Sequence, residues 1–256
     1  MRSAWKSDPG LVRANNEDTV RVDEENGIYL LADGMGGGPA GEVASELAVT
    51  AAHESLVRLL HAHEAPADIS RLLAEALAAA HSAVARRALS DPSLMGMGTT
   101  LEIVVIREAE AVNCHVGDSR VYLFRRGVLR QLTNDDNYAA FLAETGKIPV
   151  DRIPRTYRHI LTQAVGVSEE LVPEIRTIGM EPGDLLLICS DGLTEALGDE
   201  EIGTIMGRSR AELATIADAL VAAANAKGGP DNVSVVIIEQ IPAAAAATLL
   251  LPPLLA

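Results

Sequence analysis

The sequence predicts an α+β domain of layered sheets and helices. Short strands arrive in hairpin-linked groups, two long helices interrupt them, and no strand–helix–strand alternation of the parallel kind runs along the chain. Residues 19–23 and 28–32 read as two strands joined at 24–27. The second runs into the turn Asp33-Gly34-Met35-Gly36-Gly37-Gly38. Leu47, Ala51, Leu56 and Leu59 then recur at roughly helical spacing over 39–63. Ile69, Leu72, Leu73, Ala76, Leu77, Ala80 and Val84 form one stripe over 67–89, which Asp91-Pro92 ends. Four strands are expected next, at 99–106, 111–116, 120–125 and 128–132, with Arg126-Gly127 as a hairpin turn. The polar stretch 134–158 reads as a short helix plus a flap. An apolar strand at 184–189 enters Ser190-Asp191-Gly192, and a helix follows at 211–226. The turn Gly228-Gly229-Pro230-Asp231-Asn232 leads into a last strand at 233–239. Residues 1–240 are read as one domain and 241–256 as an Ala/Leu/Pro-rich surface tail.

Composition narrows the function classes. Apolar residues make up 48% of the 256, aromatic residues only 3%, so Ala, Val, Leu and Ile must build the core. The formal net charge is −15 and no Lys/Arg cluster of the nucleic-acid-binding kind appears. The acidity serves solubility, or it reflects carboxylates that converge on cations. Cys114 and Cys189 lie in apolar runs without zinc spacing and read as buried thiols. Residues 1–10 lack the apolar stretch of a signal peptide, and no run approaches the ~20 apolar residues of a membrane span. A soluble, cytoplasmic, monomeric chain is expected.

Aspartates recur at the ends of apolar strands: Asp33 after 28–32, Asp118 after 112–117, Asp191 after 185–190, and Asp231 before 233–238. Each alone has a local reading, since Asp-Gly and Gly-Asp are turn dipeptides. Taken together on strands of one sheet system they have a shared reading. Carboxylates brought together raise one another's pKa, and a divalent cation removes that cost. Hard oxygen ligands with no His/Cys set favour Mg²⁺ or Mn²⁺ over zinc. Arg13, Asn16, Glu17 and Asp18 add a planar fork for phosphate and two further carboxylates, or a solvated charged turn. His53, His61 and His63 read as surface residues, and His115 as packing. The 36–38 turn is not a P-loop, because no Lys-Ser/Thr follows.

Six motifs in order now make a specific pattern from about residue 7 to 238. They are Arg13-Ala14-Asn15-Asn16-Glu17-Asp18, Asp33-Gly34-Met35-Gly36-Gly37, Gly96-Met97-Gly98-Thr99-Thr100, Val116-Gly117-Asp118-Ser119-Arg120, Ser190-Asp191-Gly192 and Gly229-Pro230-Asp231-Asn232. The chain resembles the type-2C metal-dependent serine/threonine protein phosphatases in their compact bacterial form. The resemblance implies a four-layer α-β-β-α sandwich of two antiparallel sheets. It implies that Asp33 bridges two Mn²⁺ or Mg²⁺ ions, that the Gly34 carbonyl binds one of them, and that Asp191 and Asp231 complete the first site. Glu17 and Asp18 would act mostly through water, Asp118 with Asp191 would hold a weaker third ion, and Arg13 would clamp the substrate phosphate. Asn232 would support Asp231.

That resemblance implies hydrolysis of phosphoserine and phosphothreonine on proteins by a metal-activated water, without a phosphoenzyme, opposing a bacterial Ser/Thr kinase. Two departures stand out. Met35 replaces a His that many eukaryotic members carry and that protonates the leaving oxygen, although bacterial relatives commonly share Met. Asn134-Asp135-Asp136-Asn137 differs from the Asp-His-Ser that bacterial relatives often show, which bears on substrate preference. A phosphatase specialised for an anti-anti-sigma-type regulator, a catalytically silent phosphoprotein-binding module of the same fold and a non-enzymatic cation-binding protein are the competing readings.

Overall fold

A strand with helices on one face and a second sheet on the other has no solvent face, so its residues can all be apolar. Leu185–Cys189 is such a strand, with all five residues buried. In the computed structural model, residues 1–35, 40–62, 68–146, 148–208 and 212–241 are described. In chain order the elements are β1 (Arg2–Asp8), β2 (Asp18–Asp23), β3 (Ile28–Asp33), α1 (Gly41–Ala62) and α2 (Ile69–Ser90). Next come β4 (Leu101–Arg107), β5 (Glu110–Val116), β6 (Arg120–Arg125), β7 (Val128–Gln131) and α3 (Tyr138–Thr145). The last are β8 (Glu174–Gly179), β9 (Leu185–Cys189), α4 (Asp191–Ala196), α5 (Asp199–Met206), α6 (Leu213–Ala226) and β10 (Val233–Glu239).

Two five-stranded antiparallel sheets result, in the orders β1-β10-β9-β6-β7 and β2-β3-β4-β5-β8. Three apolar layers bind them into four. Ile28, Leu30 and Ala32 of β3 face α1 and α2, while Tyr29 and Leu31 face the other sheet. Leu185, Leu187 and Cys189 of β9 face α4–α6, and Leu186 and Ile188 meet the first group across the sandwich. Leu31→Ala would lose this central contact at a cost of about 2–5 kcal/mol.

The expected helices and hairpins are present within a few residues of their predicted ends, and both cysteines are buried and free. Arg126 and Gly127 take left-handed φ values of 51° and 82°, the geometry a two-residue hairpin needs. Four elements lack a sequence signal: β1, β8, α4 and α5. β1 is an edge strand with no fully buried residue, so it shows no apolar period. Residues 36–38, His63 and the Ala/Leu/Pro-rich tail from 242 lie outside the described residues.

Every strand end that carries a predicted site residue lies at one end of the sandwich. Asp18 opens β2 directly opposite Asp33, which closes β3. Asp118 sits in the β5–β6 turn, Asp191 follows β9 and Asp231 precedes β10.

Candidate active site

A cleft of about 460 Å³ opens at this end, and Arg13, Asp33, Gly34, Met35, Asp118, Asp191 and Asp231 line it. Backbone contacts hold the carboxylates in place. Thr99 Oγ1 donates to the Asp33 carbonyl at 2.8 Å, and Thr100 N donates to the same carbonyl at 2.9 Å. Gly34 N donates to the Glu17 carbonyl at 3.1 Å, which ties the Arg13–Asp18 segment to the end of β3. A Cβ on Gly34 would collide with the Gly41 carbonyl, so only glycine lets α1 approach this closely.

Asn232 braces the opposite side. Its Oδ1 accepts from Glu17 N at 2.8 Å, and its Nδ2 donates to the carbonyls of Pro9 (3.0 Å) and Asn15 (2.8 Å). Asn232 therefore supports the N-terminal loop and Glu17, in addition to adjoining Asp231. Arg13 Nη2 donates to Asp231 Oδ2 at 2.7 Å, so the predicted phosphate clamp rests on a carboxylate here. Ser190 Oγ donates to Asp18 Oδ2 at 2.8 Å, while Asp18 Oδ1 is buried with no partner among the described residues.

The electrostatics follow from this crowding. Burial, then the charge of Asp18, Asp191 and Asp118, holds the Asp33 carboxyl well above the ordinary range. Asp191 is raised in the same way by burial and by Asp118 and Glu195. Burial pushes Asp18 up to about 6 against the bonds from Ser234 and Ser190. Burial and Asp135 push Asp118 up to about 7. Glu17 is raised by burial and Glu42, and Arg13 opposes the shift. An all-oxygen cluster with a bare buried oxygen and little counter-charge suits a hard divalent cation.

The structure brings together every predicted site residue: Arg13, Glu17, Asp18, Asp33, Gly34, Asp118, Asp191 and Asp231. It also adds two side chains that the sequence did not mark. His159 from the flap lines the cleft, and its Nδ1 lies 3.0 Å from Glu195 Oε1 on α4. One ligand atom each of His159, Asp191 and Glu195 lies within 4.8 Å of the others. No spacing links a residue in an irregular flap to a short helix, so these two were visible only after folding. His115, expected to pack rather than to ligate, is buried, and its Nδ1 meets Glu102. His53 and His61 meet Asp23 and Asn26 near the surface.

Comparisons with known proteins agree with this geometry. A family profile described as Protein phosphatase 2C matches residues 12–232. The serine/threonine protein phosphatase PstP of Mycobacterium tuberculosis is 39% identical over 94% of this chain, and the chain spans 45% of that relative's length. The serine/threonine phosphatase stp of Listeria monocytogenes is 36% identical, over 94% of this chain and 96% of its own. A crystal structure of the PstP catalytic domain in complex with 2 manganese ions superposes with a TM-score of 0.81. It has 37% identity and covers 94% of this chain and 98% of that one.

Proposed function

Because the chain belongs to the protein phosphatase 2C family, we propose that it hydrolyses phosphoserine and phosphothreonine on proteins at the cleft lined by Asp33, Asp118 and Asp191, with Mn²⁺ or Mg²⁺ held by its carboxylates. The observation that carries this reading is the convergence of mutually destabilised buried carboxylates beside an arginine. Asp33, the Gly34 carbonyl, Asp191 and Asp231 are assigned to two core ions, Glu17 and Asp18 to the waters around them, and Asp118 with Asp191 to a weaker third. Bound there, the cation supplies Lewis acidity, which acidifies water and offsets charge on the phosphoryl oxygens.

The chain's own residues do the rest. Arg13 exchanges its bond to Asp231 for the substrate phosphate, presenting two parallel donors to two oxygens. Asn232 and the Gly34–Glu17 bond keep the N-terminal loop in register with β3, so that Arg13 and Asp33 face the same phosphorus. Met35 lines the cleft but carries no exchangeable proton, so it cannot protonate the leaving oxygen. No serine or cysteine nucleophile is required. Phosphorylated proteins are the partners, a Ser/Thr kinase among them, and the protein acts as a cytoplasmic monomer with residues 241–256 outside its catalytic domain. No helix of the described residues is long and apolar enough to cross a membrane.

Hydrolysis of a phosphothreonine peptide with Mn²⁺ and with EDTA tests the reading. Turnover in Mn²⁺ that EDTA abolishes supports it. Folded protein without turnover in either Mn²⁺ or Mg²⁺ would leave the silent binding module instead.

A further inference from the structure

The chain is strongly acidic, yet the flap beside the cleft is not. Residues 148–160 hold Arg152, Arg155 and Arg158 against one carboxylate, Asp151. All three arginines are exposed, and no guanidinium of the three has an ion pair or hydrogen bond among the described residues, Arg152 bonding only through its backbone N to the Pro149 carbonyl at 2.8 Å. An exposed guanidinium that no carboxylate of the chain engages presents its planar fork of donors to an anion.

The local geometry sets these arginines beside the cleft. Residues Arg155–His159 form a 3-10 turn, in which side chains three apart lie on one face. Arg155 and Arg158 therefore share a face. Arg158 lines a small recess with Asp118, Asp191 and Glu195, so that face borders the catalytic carboxylates. The segment is pinned on two sides. Tyr157 packs edge-on against Tyr138 of α3 with ring centroids 5.2 Å apart, and His159 pairs with Glu195 on α4. Arg152 lies in the preceding 3-10 turn, three residues before Arg155.

Resting on the phosphatase reading above, we propose that Arg152, Arg155 and Arg158 form a docking surface for anionic side chains next to the phosphoresidue being hydrolysed. The occupant is an acidic or multiply phosphorylated segment of a substrate protein. The cleft carboxylates repel such segments at a distance, and the flap arginines provide the local attraction that brings them in. A second phosphate and a run of Asp/Glu share this chemistry, and arginine's planar fork suits both.

Three phosphothreonine peptides test this: one with neutral flanks, one with two aspartates on each side, and one with a second phosphothreonine two residues away. Each is measured twice, by kcat/KM in Mn²⁺ and by fluorescence anisotropy in EDTA, at low and high salt. Both anionic peptides should exceed the neutral one by about tenfold, through KM, and salt should shrink the gap. R152Q/R155Q should erase the gap and R152K/R155K should restore most of it. R58Q/R86Q, on the helical face, should leave the gap in place. A preference confined to the doubly phosphorylated peptide identifies phosphate as the occupant. Equal values for all three peptides, or a full preference in R152Q/R155Q, overturns the proposal. Ranked binding without turnover of any peptide would sink the phosphatase reading and leave the docking surface standing.

Discussion

Two groups of buried acids flank the same end of the fold, and only one comes with its own counter-charge. Glu102 on β4 lies directly across from His115 on β5 and is fully buried. His115 Nδ1 meets it, Asn113 Nδ2 donates to its other oxygen at 2.8 Å, and His115 Nε2 donates to the Asn134 carbonyl at 2.8 Å. Burial alone would lower the His115 pKa, but Glu102 and Asp136 overcome it and hold the ring up at about 9. The charge is thus balanced within the protein. Asp18, Asp33 and Asp191 face mainly one another and serine hydroxyls. A fold that can place a histidine opposite one buried carboxylate but leaves three others unbalanced has left room for an external cation.

The largest expected effect lies in the unbalanced group. Asp191→Ala should cut phosphopeptide turnover by about 10³-fold or more, with the circular dichroism spectrum and melting transition retained. Wild-type turnover in this variant would break the metal assignment. In the balanced group the same kind of change should act on stability. Glu102→Ala leaves a buried imidazolium without its partner and should cost about 3 kcal/mol in urea unfolding. A loss of activity at unchanged stability would remove the distinction between the groups.

Acidity separates the groups as well. In chelated protein, folded Asp18 and Asp118 hold protons up to about 6 and 7, which their unfolded counterparts release near pH 4. The folded state then binds more protons, so stability falls as pH rises from about 4 to 7. His115 contributes stability that is full below its unfolded pKa of about 6.5 and is lost as pH rises through about 9. Mn²⁺ should abolish the first slope and leave the second. The smallest effect is expected at Asn232→Ala, which removes the brace on Glu17 and should lower kcat/KM about tenfold in steady-state assays.

Asp33 and Asp191 were legible because each follows an apolar run, 28–32 and 185–189, so their strands and ends were readable before the fold was known, whereas Asp18 was marked by the Arg13–Asp18 motif. The facing of Asp18 and Asp33 follows from the β2–β3 hairpin register. Other parts were not legible for physical reasons. β8 offers one apolar residue to each side, Ile175 toward the helices and Ile178 toward the other sheet, too few to show a period. α4, at six residues, is shorter than two helical turns. The Glu102–His115 pair left a trace, a lone carboxylate inside Leu101–Arg107, but its partner depended on strand pairing. His159 reaches the cleft only through the packing of the flap on α3 and α4.

The central claim is that this unbalanced cluster binds divalent cations. Titration calorimetry of Mn²⁺ into chelator-treated protein near pH 6.5, in two buffers of different ionisation heat, addresses it directly. Binding of about two ions with release of protons is expected, since raised carboxyls must ionise to serve as ligands, and Asp33→Asn should lose most of the affinity. No binding by the folded wild type, or undiminished binding by Asp33→Asn, would contradict the account.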